Sequence, residues 1–277
     1  MKVRDLLKHA EQELIGVKSA RLDAEVLLAS SLGTNRASLY AHPDQNVPPE
    51  AESSFSSLLD KRRQAFPLAY LLGSREFWSM ELKVDANTLI PRPETELLVE
   101  QALLAIPSKA PCRVLDLGTG SGAIALAIAC ERPQAEVLAV DISTRALDVA
   151  RQNAQDLEAE NVEFLHSDWF ADIDESEFDV IVSNPPYVET RDPGFELGEI
   201  RYEPRLALDG GEKGMDAYHH IVPLARDVLC SRGRLLLEHG WQQGPALREL
   251  LETEGFQQVQ TLKDYAGLER CSTAGKV

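Results

Sequence analysis

Asp116-Leu117-Gly118-Thr119-Gly120-Ser121-Gly122 joins an apolar run, Arg113 to Leu117, to a second one, Gly122 to Glu131. The first run suits a buried strand and the second a helix, so the stretch reads as a glycine-rich strand-to-helix turn. Glycines there let the backbone approach a ligand without a Cβ in the way. Gly118, Gly120 and Ala123 also satisfy the relaxed dinucleotide pattern GxGxxA, so the turn by itself does not choose its ligand.

Outward from this turn the pattern alternates. Strands are expected at 136–140, 162–165, 178–183 and 234–238, and helices at 144–157, 217–230 and 245–254. Alternation of this kind predicts a parallel sheet with helices on both faces. Ligands in such sheets lie beyond the carboxyl ends of the strands. Asp141 ends the second strand and can accept hydrogen bonds from both ribose hydroxyls of a nicotinamide dinucleotide or of S-adenosylmethionine. Ser167-Asp168-Trp169, after the third strand, offers an acid and an apolar wall for an adenine; a strand-end turn around a packed Trp is an equal reading.

Asn184-Pro185-Pro186-Tyr187 follows the fourth strand. The two prolines fix φ and lack N–H groups, which makes the loop stiff and rich in acceptors. A planar NH₂ group has two donors to match them. Together with the glycine turn and the acids after strands two and three, the tetrad resembles the pattern of class I S-adenosylmethionine-dependent methyltransferases that act on amines. Two such nitrogens are open on the tetrad alone: N6 of adenine in DNA or RNA, and the side-chain amide of glutamine.

The N-terminal part is different. Leu6, Leu7, Ala10 and Leu14 form one helical stripe, and Ala24, Leu27, Leu28 and Leu32 another. Helices are expected at 2–15, 20–31 and 48–66, the last opened by Pro48 and Pro49 and closed by Pro67. Glu76-Phe77-Trp78 and Glu81-Leu82-Lys83-Val84 predict a hairpin turning at Ser79-Met80. Pro91-Arg92-Pro93-Glu94-Thr95-Glu96 then starts a helix to about Ala105. Arg92 and Glu238 read most simply as a linker salt bridge and a strand-end hydrogen-bonding group. Residues 271–277 read as a short or divergent final strand.

A chain of 277 residues is long enough for two domains. Charged residues interrupt the first seventeen positions, so no signal peptide is expected, and no apolar stretch suits a membrane. A cytoplasmic protein is the expectation. The cysteines at 112, 130, 230 and 271 are too far apart for a metal or redox pair, and the six histidines form no ligand motif, so no metal is expected. Residues 1–73 hold nine basic and nine acidic side chains, and the rest of the chain carries the whole net charge of −17. That sign repels phosphate backbones and weighs against a nucleic-acid partner.

Nearly the whole chain resembles the release factor glutamine methyltransferases, the PrmC/HemK family. The resemblance rests on residues 67–73 and 75–78, on 89–96 (Leu-Ile-Pro-Arg-Pro-Glu-Thr-Glu), on the glycine turn and on the tetrad. It continues through Tyr202-Glu203-Pro204, Gly214-Met215 and 236–240. It implies an α/β fold: a doubly wound, Rossmann-like class I methyltransferase sheet with a small helical bundle and a β-hairpin linker. The implied domains are 1–73, docking the release factor, 74–90 as linker, and 91–277 for methyl transfer. The implied reaction is N5-methylation of the glutamine in the Gly-Gly-Gln motif of class 1 peptide chain release factors. Gly118, Thr119, Gly120, Ser121, Gly122, Asp141, Trp169 and Asn184 would bind S-adenosyl-L-methionine. Asn184, Pro185, Pro186 and Tyr187 would hold the glutamine, with Asn184, Pro185 and Tyr187 catalytic. A monomer is the expected state.

Overall fold

The computed structural model describes residues 1–174 and 177–276. The chain divides into two units, one of residues 1–73 with 196–202, the other of residues 74–195 with 203–277.

The first unit is built on α1 (Val3–Glu13), α2 (Ala20–Ser31), α3 (Arg36–Ala41), α4 (Pro49–Arg63) and α5 (Leu68–Leu72). α1 buries Val3, Leu6, Leu7 and Ala10, the i, i+3, i+4, i+7 stripe of an amphipathic helix. They pack with Leu27, Leu28, Phe55 and Leu59 of α2 and α4. Pro49 opens α4, where a missing N–H costs nothing, and Lys61, Arg62 and Arg63 occupy its negative end. One ion-pair chain is buried in this unit. Arg62 Nε donates to Asp23 Oδ2 at 2.7 Å, and its Nη2 lies 2.7 Å from Glu199 Oε1. Thus 196–202, distant in sequence, completes the helical unit. α3 and α5 go beyond the sequence expectation; each is under two turns, too short for a periodic stripe.

The second unit begins with β1 (Ser74–Phe77) and β2 (Met80–Lys83), paired antiparallel with Phe77 opposite Met80. The two turn residues are Trp78 and Ser79, at φ of 51° and 59°. Two positive φ values make the tight turn that matches strand twist. The turn expected at Ser79-Met80 therefore lies one residue earlier, which puts Phe77, Met80 and Leu82 on the buried side. A 3₁₀ turn, Pro93–Thr95, leads into α6 (Glu96–Ala105).

The large sheet has seven strands: β3 (Cys112–Leu117), β4 (Ala135–Asp141), β5 (Val162–His166), β6 (Phe178–Ser183), β7 (Leu229–Glu238), β8 (Gln257–Lys263) and β9 (Glu269–Gly275). Their order is β5-β4-β3-β6-β7-β9-β8. The first five are parallel and β9 runs antiparallel to both its neighbours, so the sheet is mixed, not parallel throughout. Residues 269–275 form a full strand, which corrects the reading of a divergent C-terminus; Val277 lies outside the described residues. The flanking helices are α7 (Ala123–Glu131), α8 (Thr144–Asp156), α9 (Asp216–Val228) and α10 (Gly244–Thr253). Val114 belongs to one core with Ile124 and Val182, and Leu115 to the other with Ile181, Tyr218 and Leu247. Successive side chains of β3 thus serve opposite faces, as in a doubly wound sheet. The chain winds outward from β3 in one direction and resumes at β6 in the other. The crevice at that reversal is where such sheets bind ligands.

Candidate active site

A cavity of about 480 Å³ opens at the carboxyl ends of β3, β4 and β6, within the range of small-molecule sites. Gly118, Gly120, Asp141, Trp169, Asn184 and Pro186 all line it. Gly118 and Gly120 have φ of +73° and +57°, the left-handed region that favours glycine. Gly118 N and Thr119 N both donate to Val140 O at 2.9 Å, which pins the turn to β4. Asp141 is held by the turn as well: its Oδ2 accepts from Gly120 N and its Oδ1 from Ser143 N, each at 2.8 Å. Burial raises the Asp141 pKa, and those two N–H bonds oppose the shift. A fixed carboxylate, a backbone cradle and the Trp169 ring fit the ribose, amino-acid and adenine parts of S-adenosylmethionine.

The other residues of the turn sit behind the cavity. The Thr119 hydroxyl donates to Asp116 Oδ2 at 2.7 Å. Ser121 is buried, and its carbonyl accepts from Asn153 Nδ2 at 2.9 Å. Gly122 lets α7 lie against α8, since a Cβ there would meet Leu126 Cδ1 at 3.0 Å and Ala150 Cβ at 3.3 Å. Asp116 Oδ1 is buried with no partner among the described residues, and burial pushes the Asp116 carboxyl up to about 7.

Ser183, at the end of β6, donates its hydroxyl to Leu117 O at 2.7 Å and ties the tetrad to the glycine turn. Asn184 Nδ2 donates to Thr95 Oγ1 at 3.2 Å. Asn184 Oδ1 makes no hydrogen bond among the described residues and is not a buried orphan, so it faces the open cavity. Pro185 is buried and offers only a carbonyl. Tyr187 does not line the cavity; its hydroxyl donates to Glu238 Oε1 at 3.3 Å. Burial, then Glu238, raise the Tyr187 pKa, so it stays a neutral phenol. Tyr187, expected to help hold the glutamine, thus points its ring away from that task and braces the loop against β7 through Glu238.

Several residues that the sequence reading left out support this loop. Gln243 Nε2 donates to Tyr187 O at 3.0 Å and to Gly214 O at 2.9 Å. Gly210 must be glycine for contact: a Cβ would meet Pro186 O at 2.6 Å. Glu203 accepts from Arg92 Nη2 at 2.6 Å and from Ile90 N at 3.2 Å. Arg92 is therefore a salt-bridge residue, as its sequence context suggested, and its partner comes from Tyr202-Glu203-Pro204. Glu238 is a buried carboxyl at the end of β7, pushed up to about 7 by burial against the opposing effects of Thr95, Arg270 and Tyr187. Among the described residues no cluster could hold a metal ion, and no helix is long and apolar enough to cross a membrane.

Residues 5–73 match the family described as PrmC N-terminal domain, and residues 93–199 that described as Methyltransferase small domain. A release factor glutamine methyltransferase of Salmonella typhimurium is 48% identical over 264 residues, covering 95% of each chain. The chain belongs to the release factor glutamine methyltransferase family. The enzyme of that name from Escherichia coli is 46% identical over 98% of this chain and 97% of its own. A solved methyltransferase from Pyrococcus furiosus shares the fold, with a TM-score of 0.57 and 20% identity over 78% of this chain and 98% of that one. The chain is thus a methyltransferase, and S-adenosylmethionine is its methyl donor.

Proposed function

We propose that this chain methylates the side-chain amide nitrogen of the glutamine in the Gly-Gly-Gln motif of class 1 peptide chain release factors. The observation that carries this is Asn184 Oδ1, an acceptor facing the cavity that also holds the glycine cradle and Asp141. Gly118, Gly120, Asp141 and Trp169 hold S-adenosylmethionine, which supplies an electrophilic sulfonium methyl. Thr119, Ser121 and Gly122 shape the cradle from behind.

An amide nitrogen is a poor nucleophile because its lone pair is shared with the carbonyl. Asn184 Oδ1 and the Pro185 carbonyl accept its two N–H groups, fix the amide plane and turn the nitrogen's π face to the methyl. Acceptors so placed also stabilise the positive charge that grows on nitrogen. Alignment of the two reactants adds a proximity effect. The N–CH₃ bond forms as the S–CH₃ bond breaks, and one amide proton then leaves to solvent. Pro186 and Tyr187 keep the loop rigid.

The 46–48% identity to enzymes named for release factor glutamine supports this substrate over adenine N6. The charge of the sheet unit points the same way, since residues 74–277 carry the whole net charge of −17 and all but one unit of it lies outside 196–202. The substrate class supports action in the cytoplasm. The test supplies methyl-labelled S-adenosylmethionine with a release factor and, in parallel, with DNA and RNA. Label in N5-methylglutamine is expected; label in N6-methyladenine overturns the reading.

A further inference from the structure

An amide has two ends, and only one of them suits an incoming NH₂ group. If Asn184 were rotated by half a turn it would present Nδ2 to the cavity, donor against donor. Something must hold its orientation, and among the described residues the only side chain that hydrogen-bonds the Asn184 amide is Thr95.

Thr95 is unusual for its position. It caps the N-terminus of α6, where a threonine hydroxyl ordinarily accepts from a helix N–H, yet it makes no such bond. It is 4% exposed, and its Oγ1 accepts from Asn184 instead. Its hydroxyl lies beside Glu238 and opposes the rise in that group's pKa. Glu238 Oε2 is buried and has no hydrogen-bond partner among the described residues.

We infer that Thr95 is a positioning residue, held by Glu238, that sets which end of the Asn184 amide meets the substrate. An ionised carboxylate only accepts, so it claims the Thr95 hydroxyl hydrogen. The Oγ1 lone pairs are then left for Asn184 Nδ2, and Oδ1 turns to the cavity. A protonated Glu238 can donate to Thr95 instead, which frees the Thr95 hydrogen for Asn184 Oδ1 and reverses the amide. Turnover therefore rises with the ionisation of Glu238. The other groups that act on this carboxyl are Tyr187 after β6, Tyr218 on α9, Arg270 and Cys271 on β9, and Glu94 in the 3₁₀ turn.

The inference rests on the proposed substrate site, and the test separates the two. Wild type, Thr95→Val, Thr95→Ser and Glu238→Gln are assayed for kcat and KM from about pH 5.5 to 8.5 on whichever NH₂ substrate the wild type accepts. Valine keeps the volume of threonine and loses the hydroxyl. Thr95→Val is expected to lose kcat about tenfold, the equivalent of ~1.4 kcal/mol. Its affinity for S-adenosylmethionine and its melting temperature stay near wild type. Thr95→Ser restores kcat to within about threefold. The rise of kcat with pH is present in wild type and absent from Thr95→Val and Glu238→Gln. Wild-type kcat in Thr95→Val, a Thr95→Ser as impaired as the valine variant, or an unchanged pH profile in Glu238→Gln overturns the inference. A wild type that ignores release factors overturns the substrate reading alone.

Discussion

Glu238→Gln removes one ionisable group from the core and nothing else of similar size. In the folded chain burial holds the Glu238 carboxyl at about 7, against an ordinary 4.5. Below the ordinary value both folded and unfolded chains carry the proton, and the stability of the wild type is at its full value. As pH rises from there, the unfolded chain gives up the proton first, so stability falls until the folded pKa is passed. At about 1.36 kcal/mol per unit, the whole loss is about 3 kcal/mol, of which about 2–3 kcal/mol falls between pH 5 and pH 8. Glutamine has no such loss and keeps an oxygen for Tyr187. The variant is therefore expected to gain on wild type by about 2–3 kcal/mol across that range. Asp116 also titrates high, but both proteins contain it and the difference cancels it. Trp78, Trp169 and Trp241 are the only tryptophans and all belong to the sheet unit, so urea titrations followed by tryptophan fluorescence report that unit. A stability difference that stays flat from pH 5 to pH 8 would refute the assignment of a buried, proton-holding Glu238.

Three further outcomes test other parts of the molecule. Asn184→Ala is expected to lose at least about 10² in turnover while calorimetry finds its affinity for S-adenosylmethionine within a few-fold; near-normal turnover sinks the proposed amide clamp. Gly122→Ala meets both a φ of +85° and Ala150 Cβ at 3.3 Å, so its unfolding free energy in urea should drop by roughly 2–3 kcal/mol, and an unchanged midpoint contradicts the packing account. Asp23→Ala leaves the buried Arg62 with the half-exposed Glu199 as its remaining carboxylate beside the neutral Phe66 carbonyl, and amide exchange in α2 and α4 should accelerate by roughly 10²-fold, for a loss of about 3 kcal/mol; unaltered exchange there means the pair contributes nothing.

The parallel half of the sheet was legible because its strands are nearly continuous apolar runs bounded by glycine, proline or charge, as Val114, Leu115 and Ile181 illustrate. β8 was not legible. It is an edge strand, Gln257 to Lys263, with no buried residue and few apolar ones. β9 was read only as a short or divergent strand for a different reason: its buried members, Cys271, Ser272, Ala274 and Gly275, are small, so the strand carries little hydrophobic signal. The hairpin turn was misplaced by one residue because Trp78 and Ser79 adopt positive φ without the glycine or asparagine that usually marks it. At the site, the cradle and Asn184 were legible because backbone shape and acceptor chemistry are local properties. Thr95, Glu238 and Gln243 were not read as a support for the tetrad, because their partners lie far away in the chain and only the folded sheet brings them together.

The helical unit of residues 1–73 includes a piece that the chain reaches only at residues 196–202. On a ribosome, Arg62 is made early and Glu199 about 140 residues later. At roughly 5–20 residues per second, that gap is on the order of ten seconds. For that time the nascent N-terminal helices hold a buried guanidinium with Asp23 and the Phe66 carbonyl as its partners and lack their last carboxylate. A chain cut after Gly73 stays in that early state permanently. Its exchange rates, set beside those of the full-length protein, measure how much of this unit's stability arrives only late in synthesis.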